Sequence, residues 1–430
     1  MKKIITFIIL WFTVSNVVNS QSIDQKLGIL INNQEYFKLK RELQKADSTD
    51  VSEFVWNLSN AIVNAYFYNS QESVKNINIL LRDYQEYLGV ENSLGMTVLL
   101  IENYMNLREY KKAAQISQSV ITQLKDLEKV GYKNENYVST LQNSLKMFNA
   151  FADIPTQKIS NKQAFRIYKD SIGAITVPVS VGNKTHYLIF DTGAGSSIIK
   201  ESIANDLDIQ ILADSVIIAG FSDVYCKSGV ANNIQIGNIN AQNVLFMIIP
   251  DSVLLPEEVQ DKNIKINGCI GWDFIRDLNK FQIDFETGLL SFDIKENIEI
   301  GNLIVSSSCP YVECISEDDT IILNFDTGAM ADGLSYNYYK QKSDNLTSIK
   351  DTIQRIGGIG GYSIQNISII KDFPIQIGDK NIVPKMAMST TEETDTTFPV
   401  DGILGMPIIS LYDRIIIDFE TMSLILKKEK

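Results

Sequence analysis

The spacing of apolar residues changes once along the chain, from a helical period to a strand period. Between residues 21 and 153, apolar positions recur every three or four residues, as at Tyr36, Leu39 and Leu43, which is the period of an α-helix. After a polar linker at about 153–162, apolar and polar residues alternate, as in AITVPVSVGNKTHYLIF. Alternation of this kind is typical of β-strands. The sequence therefore predicts a helical domain at 21–153 and a β-rich region after the linker.

The first twenty residues have the layout of a secretory signal peptide. Lys2 and Lys3 precede an apolar run from Ile4 to Val14, and small and polar residues continue to Ser20. The run is too short to span a bilayer comfortably. We predict a signal peptide at residues 1–20 and an exported chain (periplasmic, cell-surface or secreted) with no stable membrane span after cleavage. An uncleaved anchor is the alternative.

The charge and the histidine content narrow the possible functions. The chain has 39 Lys and Arg against 52 Asp and Glu, a net charge of −13. Loss of two lysines with the signal peptide would leave 37 − 52 = −15, and so acidic a surface repels nucleic acid and anionic membrane. The single histidine, His186, excludes a multi-histidine zinc site. We interpret His186 as structural and expect no metal and no cofactor.

Four cysteines in an exported chain could be oxidised. Cys309 and Cys314 are close enough in sequence for a local bridge if the backbone turns between them. Cys226 and Cys269 lie in apolar, strand-like segments, where a buried free thiol is at least as plausible. The spacing of the cysteines leaves their disulfide state open.

One segment of the helical domain resembles a tetratricopeptide repeat. In residues 103–121 the spacing of Tyr104, Tyr110 and Ala113 matches the aromatic and small residues of that family, and a poorer copy begins at Asn64. An ordinary helical bundle is the alternative. Either arrangement implies a domain that docks a protein partner, and no catalytic chemistry is visible in it.

Two matched segments dominate the β-rich region. YLIFDTGAGSS at 187–197 recurs as ILNFDTGAMAD at 322–332. Each places Asp-Thr-Gly-Ala directly after an apolar run, and the aspartates Asp191 and Asp326 are 326 − 191 = 135 residues apart. One such tripeptide is a weak signal, whereas two copies in the same context indicate a repeat.

The repeat continues downstream of both aspartates. GCIGWDFI at 268–275 recurs as GILGMPII at 402–409, an offset of 402 − 268 = 134, and QIDFETG recurs as IIDFETM. We infer that a unit of this length was duplicated. The duplication predicts two lobes, at 160–297 and 298–430.

The repeated motif suits acid–base chemistry by a pair of carboxylates. An aspartate that ends an apolar strand is carried into a partly desolvated place, where the following threonine can fix the loop. Gly193 and Gly328 allow the backbone to approach the carboxylate closely. Two carboxylates held together cannot both ionise, so they share a proton, and one acts as a base while the other acts as an acid.

Both segments resemble the active-site loops of aspartic peptidases, and the retroviral-type (retropepsin-like) branch more than the pepsins. The family marker is Asp-Thr-Gly-Ala, here 191–194 and 326–329, joined to a later pair of apolar residues and a glycine. The resemblance implies an all-β bilobal aspartic-peptidase (acid protease) fold, a polypeptide substrate, and Asp191 and Asp326 as catalytic residues. It also implies residues that support the active-site loops: Thr192, Gly193, Thr327, Gly328, Gly271 and Gly405.

A glycine-rich segment resembles the flap that closes over peptides in retroviral proteases. RIGGIGGYSI at 355–364 has its first glycine 357 − 326 = 31 residues after the second aspartate, and the equivalent VIIAGFSDVY in the first unit is poorer in glycine. The resemblance therefore implies an asymmetric molecule with one principal flap. The implied flap residues are Gly357, Gly358, Ile359, Gly360 and Gly361, with Gly220 in the first unit.

Three hypotheses follow. The first is an exported aspartic endopeptidase that holds an extended substrate between dyad and flap, with the substrate side chains in apolar pockets. Because alanine follows Asp-Thr-Gly where pepsins have a hydroxyl, we expect a mildly acidic to neutral optimum. The second is an inactive peptide-binding or scaffold protein that docks partners through its helical domain. The third is that each unit pairs with a second molecule.

Overall fold

The chain is described from a computed structural model. The described residues are 22–129, 135–254, 265–296, 299–317, 319–342, 346, 348–377, 381–392 and 399–428, so the predicted signal peptide lies outside them. The chain divides into two compact units, Met1–Asp153 and Ile154–Lys430, and each is considered by itself. A helical region followed by a β-rich region confirms the predicted fold class.

Amphipathic helices form the first unit, and each packs against its neighbour in sequence. Ser22 caps the first helix in a reciprocal capping box with Gln25, in which each side chain accepts a hydrogen bond from the backbone N–H of the other residue. The apolar faces meet in a core in which Leu27 and Leu58 are fully buried. The helices are α1 (Ile23–Asn32), α2 (Tyr36–Lys45), α3 (Glu53–Tyr66), α4 (Ser70–Asp83), α5 (Gln85–Asn106), α6 (Tyr110–Lys129) and α7 (Glu135–Phe151).

The tetratricopeptide-like spacing coincides with a helix contact. Ala113 is fully buried on α6, and Tyr104 and Tyr110 pack against the same cluster. This packing is equally compatible with a bundle, so the repeat stays a prediction. No helix among the described residues has the length and apolar character needed to cross a membrane.

Strands and a few short helices form the second unit. Its first strands are β1 (Lys158–Gln163), β2 (Phe165–Arg166), β3 (Tyr168–Lys169), β4 (Ile175–Val181), β5 (Lys184–Phe190), β6 (Ile198–Lys200), β7 (Ile209–Ala219), β8 (Asp223–Ile236), β9 (Asn238–Ile249), β10 (Gly268–Ile270), β11 (Lys280–Asp284) and β12 (Leu289–Ser291). The remaining strands are β13 (Leu303–Ser306), β14 (Cys309–Ser316), β15 (Asp319–Phe325), β16 (Gly333–Leu334), β17 (Ser348–Gly358), β18 (Gly361–Ile370), β19 (Ile375–Gln376), β20 (Asn381–Ile382), β21 (Met386–Ser389), β22 (Gly402–Leu404), β23 (Arg414–Asp418) and β24 (Ser423–Lys427). Its short helices are α8 (Glu201–Ala204), α9 (Asp251–Leu254), α10 (Trp272–Ile275), α11 (Tyr336–Lys342) and α12 (Met406–Ile409).

Two of the sheets repeat one pairing pattern. In the first sheet β10 runs parallel to β5 and antiparallel to β6. In the second sheet β22 runs parallel to β15 and antiparallel to β16. The alternating segment AITVPVSVGNKTHYLIF forms the antiparallel hairpin of β4 and β5. Each sheet therefore carries one Asp-Thr-Gly loop at the carboxyl end of an equivalent strand.

A third sheet joins strands from both sequence repeats. Its order is β2-β12-β11-β23-β24, and β11 pairs antiparallel with β23 from Lys280 and Asp418 to Asp284 and Arg414. These are the IDFET segments of the two repeats. Phe281 and Ile415 on these strands are fully buried, so this sheet provides a common base for the two loops.

The predicted linker at 153–162 is wrong over its second half. Residues Lys158–Gln163 form strand β1, which pairs antiparallel with β9 at the sheet edge. Nearly all of its side chains are exposed. An edge strand with no buried face carries no alternating apolar signal, and so its sequence resembles a polar linker.

Candidate active site

Both Asp-Thr-Gly loops leave their strands in the same way. The backbone N–H of Asp191 donates to the carbonyl of Ile270 at 3.0 Å, and the N–H of Asp326 donates to the carbonyl of Leu404 at 3.1 Å. Each aspartate thus continues the parallel ladder by one bond and then turns away from the sheet. The strands before them end in buried phenylalanines, so burial of the apolar run fixes where the carboxyl group lies.

The two loops are tied to each other by their threonines. The N–H of Thr192 donates to Oγ1 of Thr327 at 3.1 Å, and the N–H of Thr327 donates to Oγ1 of Thr192 at 3.0 Å. Each hydroxyl donates onward to a carbonyl of the opposite strand end, Phe325 at 2.7 Å and Phe190 at 2.6 Å. Both threonines have no exposed surface. Because unmade buried hydrogen bonds are costly, this closed set fixes the loops in register.

Each glycine of the motif lies against the aspartate of the other loop. A Cβ at Gly193 would lie 2.3 Å from Cγ of Asp326, and a Cβ at Gly328 would lie 2.3 Å from Cγ of Asp191. Any larger residue would displace the carboxyl group. The structure therefore brings the two predicted catalytic carboxyls together across the pseudo-twofold arrangement of the loops.

Backbone donors hold both carboxylates. Oδ1 of Asp191 accepts from the N–H groups of Gly193 at 2.9 Å and Ala194 at 3.0 Å. Oδ1 of Asp326 accepts from Gly328 at 2.8 Å and Ala329 at 3.0 Å. One oxygen of each carboxyl is thereby fixed toward its own loop, which leaves the other available for the partner carboxyl or a substrate.

The two carboxyls share a hydrogen bond and have raised pKa values. Burial is the largest cause for both groups, and the charge of Asp326 adds to it at Asp191, whose pKa lies well above its usual range. The backbone donors oppose this rise, but they do not cancel it. Both residues still keep part of their surface accessible. The pair can therefore hold one proton between two oxygens that solvent or substrate can reach.

The predicted support glycines close the back of each loop. The N–H of Trp272, next to Gly271, donates to the carbonyl of Ala194 at 2.7 Å. The N–H of Met406, next to Gly405, donates to the carbonyl of Ala329 at 2.9 Å. A Cβ on either glycine would come within 2.5 Å of loop backbone atoms, so both positions require close backbone approach.

The loop environments differ at a pair of positions that sequence reasoning missed. In the first lobe the N–H and Oγ of Ser197 both donate to Oδ1 of Asp273, at 2.9 and 2.7 Å. The repeat places Asp332 and Pro407 at these positions. Within the described residues the Asp332 carboxyl makes no hydrogen bond, and burial raises its pKa to about 6. The small polar run Gly195-Ser196-Ser197 was the only sequence signal for the contact between Ser197 and Asp273.

Two hairpins, one from each lobe, meet at their tips. Strands β7 and β8 form the first and β17 and β18 the second. The N–H of Phe221 donates to the carbonyl of Ile359 at 2.8 Å, and Oγ of Ser222 donates to the carbonyl of Gly360 at 2.6 Å. A Cβ at Gly220 would lie 2.2 Å from the same Ile359 oxygen. The structure thus brings the predicted flap residues of both units together.

Each lobe contributes a hairpin, so the lengths of the hairpins do not distinguish a principal flap, and the expectation of one stays a prediction. The strand before each tip has 11 residues, Ile209–Ala219 in the first hairpin and Ser348–Gly358 in the second. Hairpin pairing needs backbone hydrogen bonds and a tight turn, which Gly220-Phe221-Ser222 also provides. Glycine content in the sequence therefore underestimated the first hairpin.

The local disulfide considered for Cys309 and Cys314 is not formed, and none of the four cysteines takes part in a disulfide. Both residues lie on the single extended strand β14, where five residues span about 16 Å. A bridge requires a Cα separation below about 7 Å. Cys309 instead lies against the first loop, with Sγ 3.4 Å from the carbonyl oxygen of Gly193.

His186 takes part in a contact away from the aspartate loops. Its Nε2 lies 3.0 Å from Oδ2 of Asp206, whose pKa is lowered first by Lys184 and then by His186. This contact fits the predicted structural role.

Comparison with protein families supports an aspartic-type protease. The family model described as aspartyl protease matches residues 177–274. The matched stretch includes Asp191, Gly220 and Gly271, and it ends before Asp326. Comparison with curated proteins gave no match.

Proposed function

We propose that the chain is an exported aspartic endopeptidase in which Asp191 and Asp326 form one catalytic pair. The family match supports a peptidase in general, and a polypeptide substrate follows from it. The single observation that carries the finer proposal is the hydrogen-bonded contact of the two carboxyls, each fixed by two backbone N–H groups.

In the proposed mechanism the pair binds one water and shares one proton. The ionised carboxylate takes a proton from the water as the water oxygen attacks the scissile carbonyl carbon. The protonated carboxyl gives its proton to the carbonyl oxygen, which forms a gem-diol. The newly protonated carboxyl then gives its proton to the amide nitrogen, and the C–N bond breaks as a gem-diol hydroxyl gives its proton to the other carboxylate, which restores the singly protonated pair. Raised pKa values favour this singly protonated state.

The threonine contacts favour a site within one chain over a site between two molecules. Thr192 and Thr327 of the same chain complete each other's hydrogen bonds. A site formed with a second molecule would have to replace all of these buried bonds. The inactive alternative is less favoured because both aspartates keep their backbone donors.

Cleavage of a peptide library by the full chain tests the proposal. We expect hydrolysis by the wild type and a loss of at least about a thousandfold in kcat for Asp191→Asn and for Asp326→Asn, because either change removes half of the pair. Asp170→Asn, in a turn of the same unit, is the control and should keep activity. Activity retained in either dyad variant, or no cleavage by the wild type between pH 3 and 8, would contradict the proposal.

Export and the role of the helical unit are also proposals. Two lysines followed by an apolar run within residues 1–20 support export. The helical unit is proposed to dock a protein partner. Amino-terminal sequencing of the mature protein should begin at Gln21. A sequence beginning at Met1 or Lys2 would contradict signal cleavage.

A further inference from the structure

The second hairpin has two faces of different character. Tyr362 and Ile364 project from the outer face, and their exposed fractions are 37% and 57%. The guanidinium carbon of Arg355 lies 4.3 Å from the centre of the Tyr362 ring. The strand register places the opposite, inner face at Thr352, Gln354 and Ile356 on β17 and at Ser363 and Gln365 on β18. All five inner residues are half-buried, so this face looks toward the body of the unit without being packed tightly against it.

The inner face carries unused hydrogen-bonding groups. Gln354 lies directly opposite Gln365, and Ser363 lies opposite Ile356. Among the described residues, no hydrogen bond involves the side chains of Thr352, Gln354, Ser363 or Gln365. The hydroxyl of Ser363 is fully buried and has no partner. A buried hydroxyl without a partner is unfavourable, so a ligand group that reached it would gain free energy by forming the missing hydrogen bond.

The first hairpin offers the opposite environment. Its equivalent face is apolar and closed, with Val216, Val224 and Cys226 only 1%, 4% and 4% exposed. Val216 pairs with Cys226, and Val224 lies opposite the half-buried Ile218. These three side chains are covered, so a peptide held between the lobes would reach little of this face and would meet the polar groups of the second hairpin instead.

We propose that Thr352, Gln354, Ser363 and Gln365 form a specificity surface for neutral hydrogen-bonding side chains of the polypeptide substrate. The inference rests on the proposed function and adds the substrate class. The surface carries amide and hydroxyl groups and no charge, so asparagine, glutamine, serine and threonine fit it better than lysine or glutamate. An apolar side chain would leave these groups unpaired, and sites that hydrogen-bond their ligand discriminate strongly against such analogues. The preferred cleavage sites therefore carry a polar side chain at the substrate position that lies against the second hairpin.

A positional peptide library cleaved by the full chain tests the surface. We expect the wild type to prefer amide or hydroxyl side chains over leucine by about tenfold at the substrate position that lies against the second hairpin. Gln354→Leu/Gln365→Leu together, and Ser363→Ala separately, should reduce that preference while selection at the other substrate positions is unchanged. Ile364→Gln adds the same amide to the outer face of the hairpin and is the matched control. It should leave the preference unaltered.

Binding separates failure of this inference from failure of the proposed catalysis. The Asp326→Asn protein is mixed with the same library, and the retained peptides are identified by mass spectrometry. Retention of polar peptides without wild-type cleavage would support the surface and overturn the catalytic proposal. A preference for apolar side chains at every substrate position, in cleavage or in retention, would overturn the surface.

Discussion

At the scale of single residues, charge and burial around the aspartates govern the behaviour of the site. Ionisation of both carboxyls is unfavourable because they share a hydrogen bond, and burial raises the pKa values of both. The Asp-Thr-Gly repeats were sufficient to predict this pairing. The contact of Ser197 with Asp273 was not predictable, because the two residues are 76 positions apart and neither belongs to a recognised pattern.

The raised pKa values predict the pH dependence of catalysis. The singly protonated pair persists to higher pH than ordinary aspartates would allow, so kcat/KM should form a bell with its maximum in the mildly acidic to neutral range. Initial rates measured from pH 2 to 9 test this. A profile that still rises toward pH 2–3 would contradict it.

Asp332 predicts a separate dependence of stability on pH. Its pKa is raised to about 6 in the folded state, so between pH 4 and 6 the folded protein binds more protons than the unfolded protein. The contribution of Asp332 to the free energy of unfolding is therefore most favourable at low pH, and it is lost as pH rises through about 6. Asp332→Asn should raise the free energy of unfolding by roughly 1–3 kcal/mol at pH 7.5 and have little effect at pH 4.

The matched control for Asp332 is Asp273→Asn, measured by chemical denaturation at the same two pH values. The Asp273 carboxylate accepts two hydrogen bonds from Ser197, so its loss should destabilise the protein. An equal effect of Asp332→Asn at pH 4 and 7.5 would show that its carboxyl is not protonated in the folded state.

At the scale of elements, the two hairpins are the features that sequence reasoning described least well. Alternating residues and glycine-rich turns predicted that hairpins exist. Their meeting at Phe221 and Ile359 could not be predicted, since the contact joins backbone groups 138 positions apart and backbone groups leave no residue pattern. The tip contact gives each hairpin a role in positioning the other.

Gly220→Ala tests the tip contact. The added Cβ would lie 2.2 Å from the carbonyl oxygen of Ile359, so the hydrogen bond from Phe221 to that oxygen should be lost. We expect kcat/KM to fall by about five- to tenfold, mostly through KM, which is the effect of one hydrogen bond. Ala219→Ser, an exposed neighbour, is the control. Unchanged KM in Gly220→Ala would mean that the tips do not act together.

At the scale of the whole molecule, the duplication explains much of the second unit. The offsets of 135 and 134 residues predicted two equivalent lobes, and the equivalent pairings of β5 with β10 and β15 with β22 match them. The sheet that joins β11 to β23 was not foreseen. Pairing between distant strands depends on tertiary packing, which local periodicity does not report.

The division into two units predicts that the second unit carries the chemistry alone. All groups assigned to the site lie within Ile154–Lys430. A fragment of these residues should cleave short peptides with kcat/KM within about threefold of the full chain. The same fragment with Asp326→Asn is the negative control for hydrolysis by contaminating peptidases. Loss of activity in a folded fragment, judged by circular dichroism, would assign part of the site to the helical unit.

The most direct test of a single site within one chain is the activity of an equimolar mixture of the Asp191→Asn and Asp326→Asn proteins. In a site formed within one chain, each variant lacks one carboxyl, and mixing cannot restore the pair. Peptide hydrolysis by the mixture should therefore stay at the level of the separate variants at every protein concentration. Recovery of activity that grows with protein concentration would contradict this account and would show that the aspartates pair between two molecules.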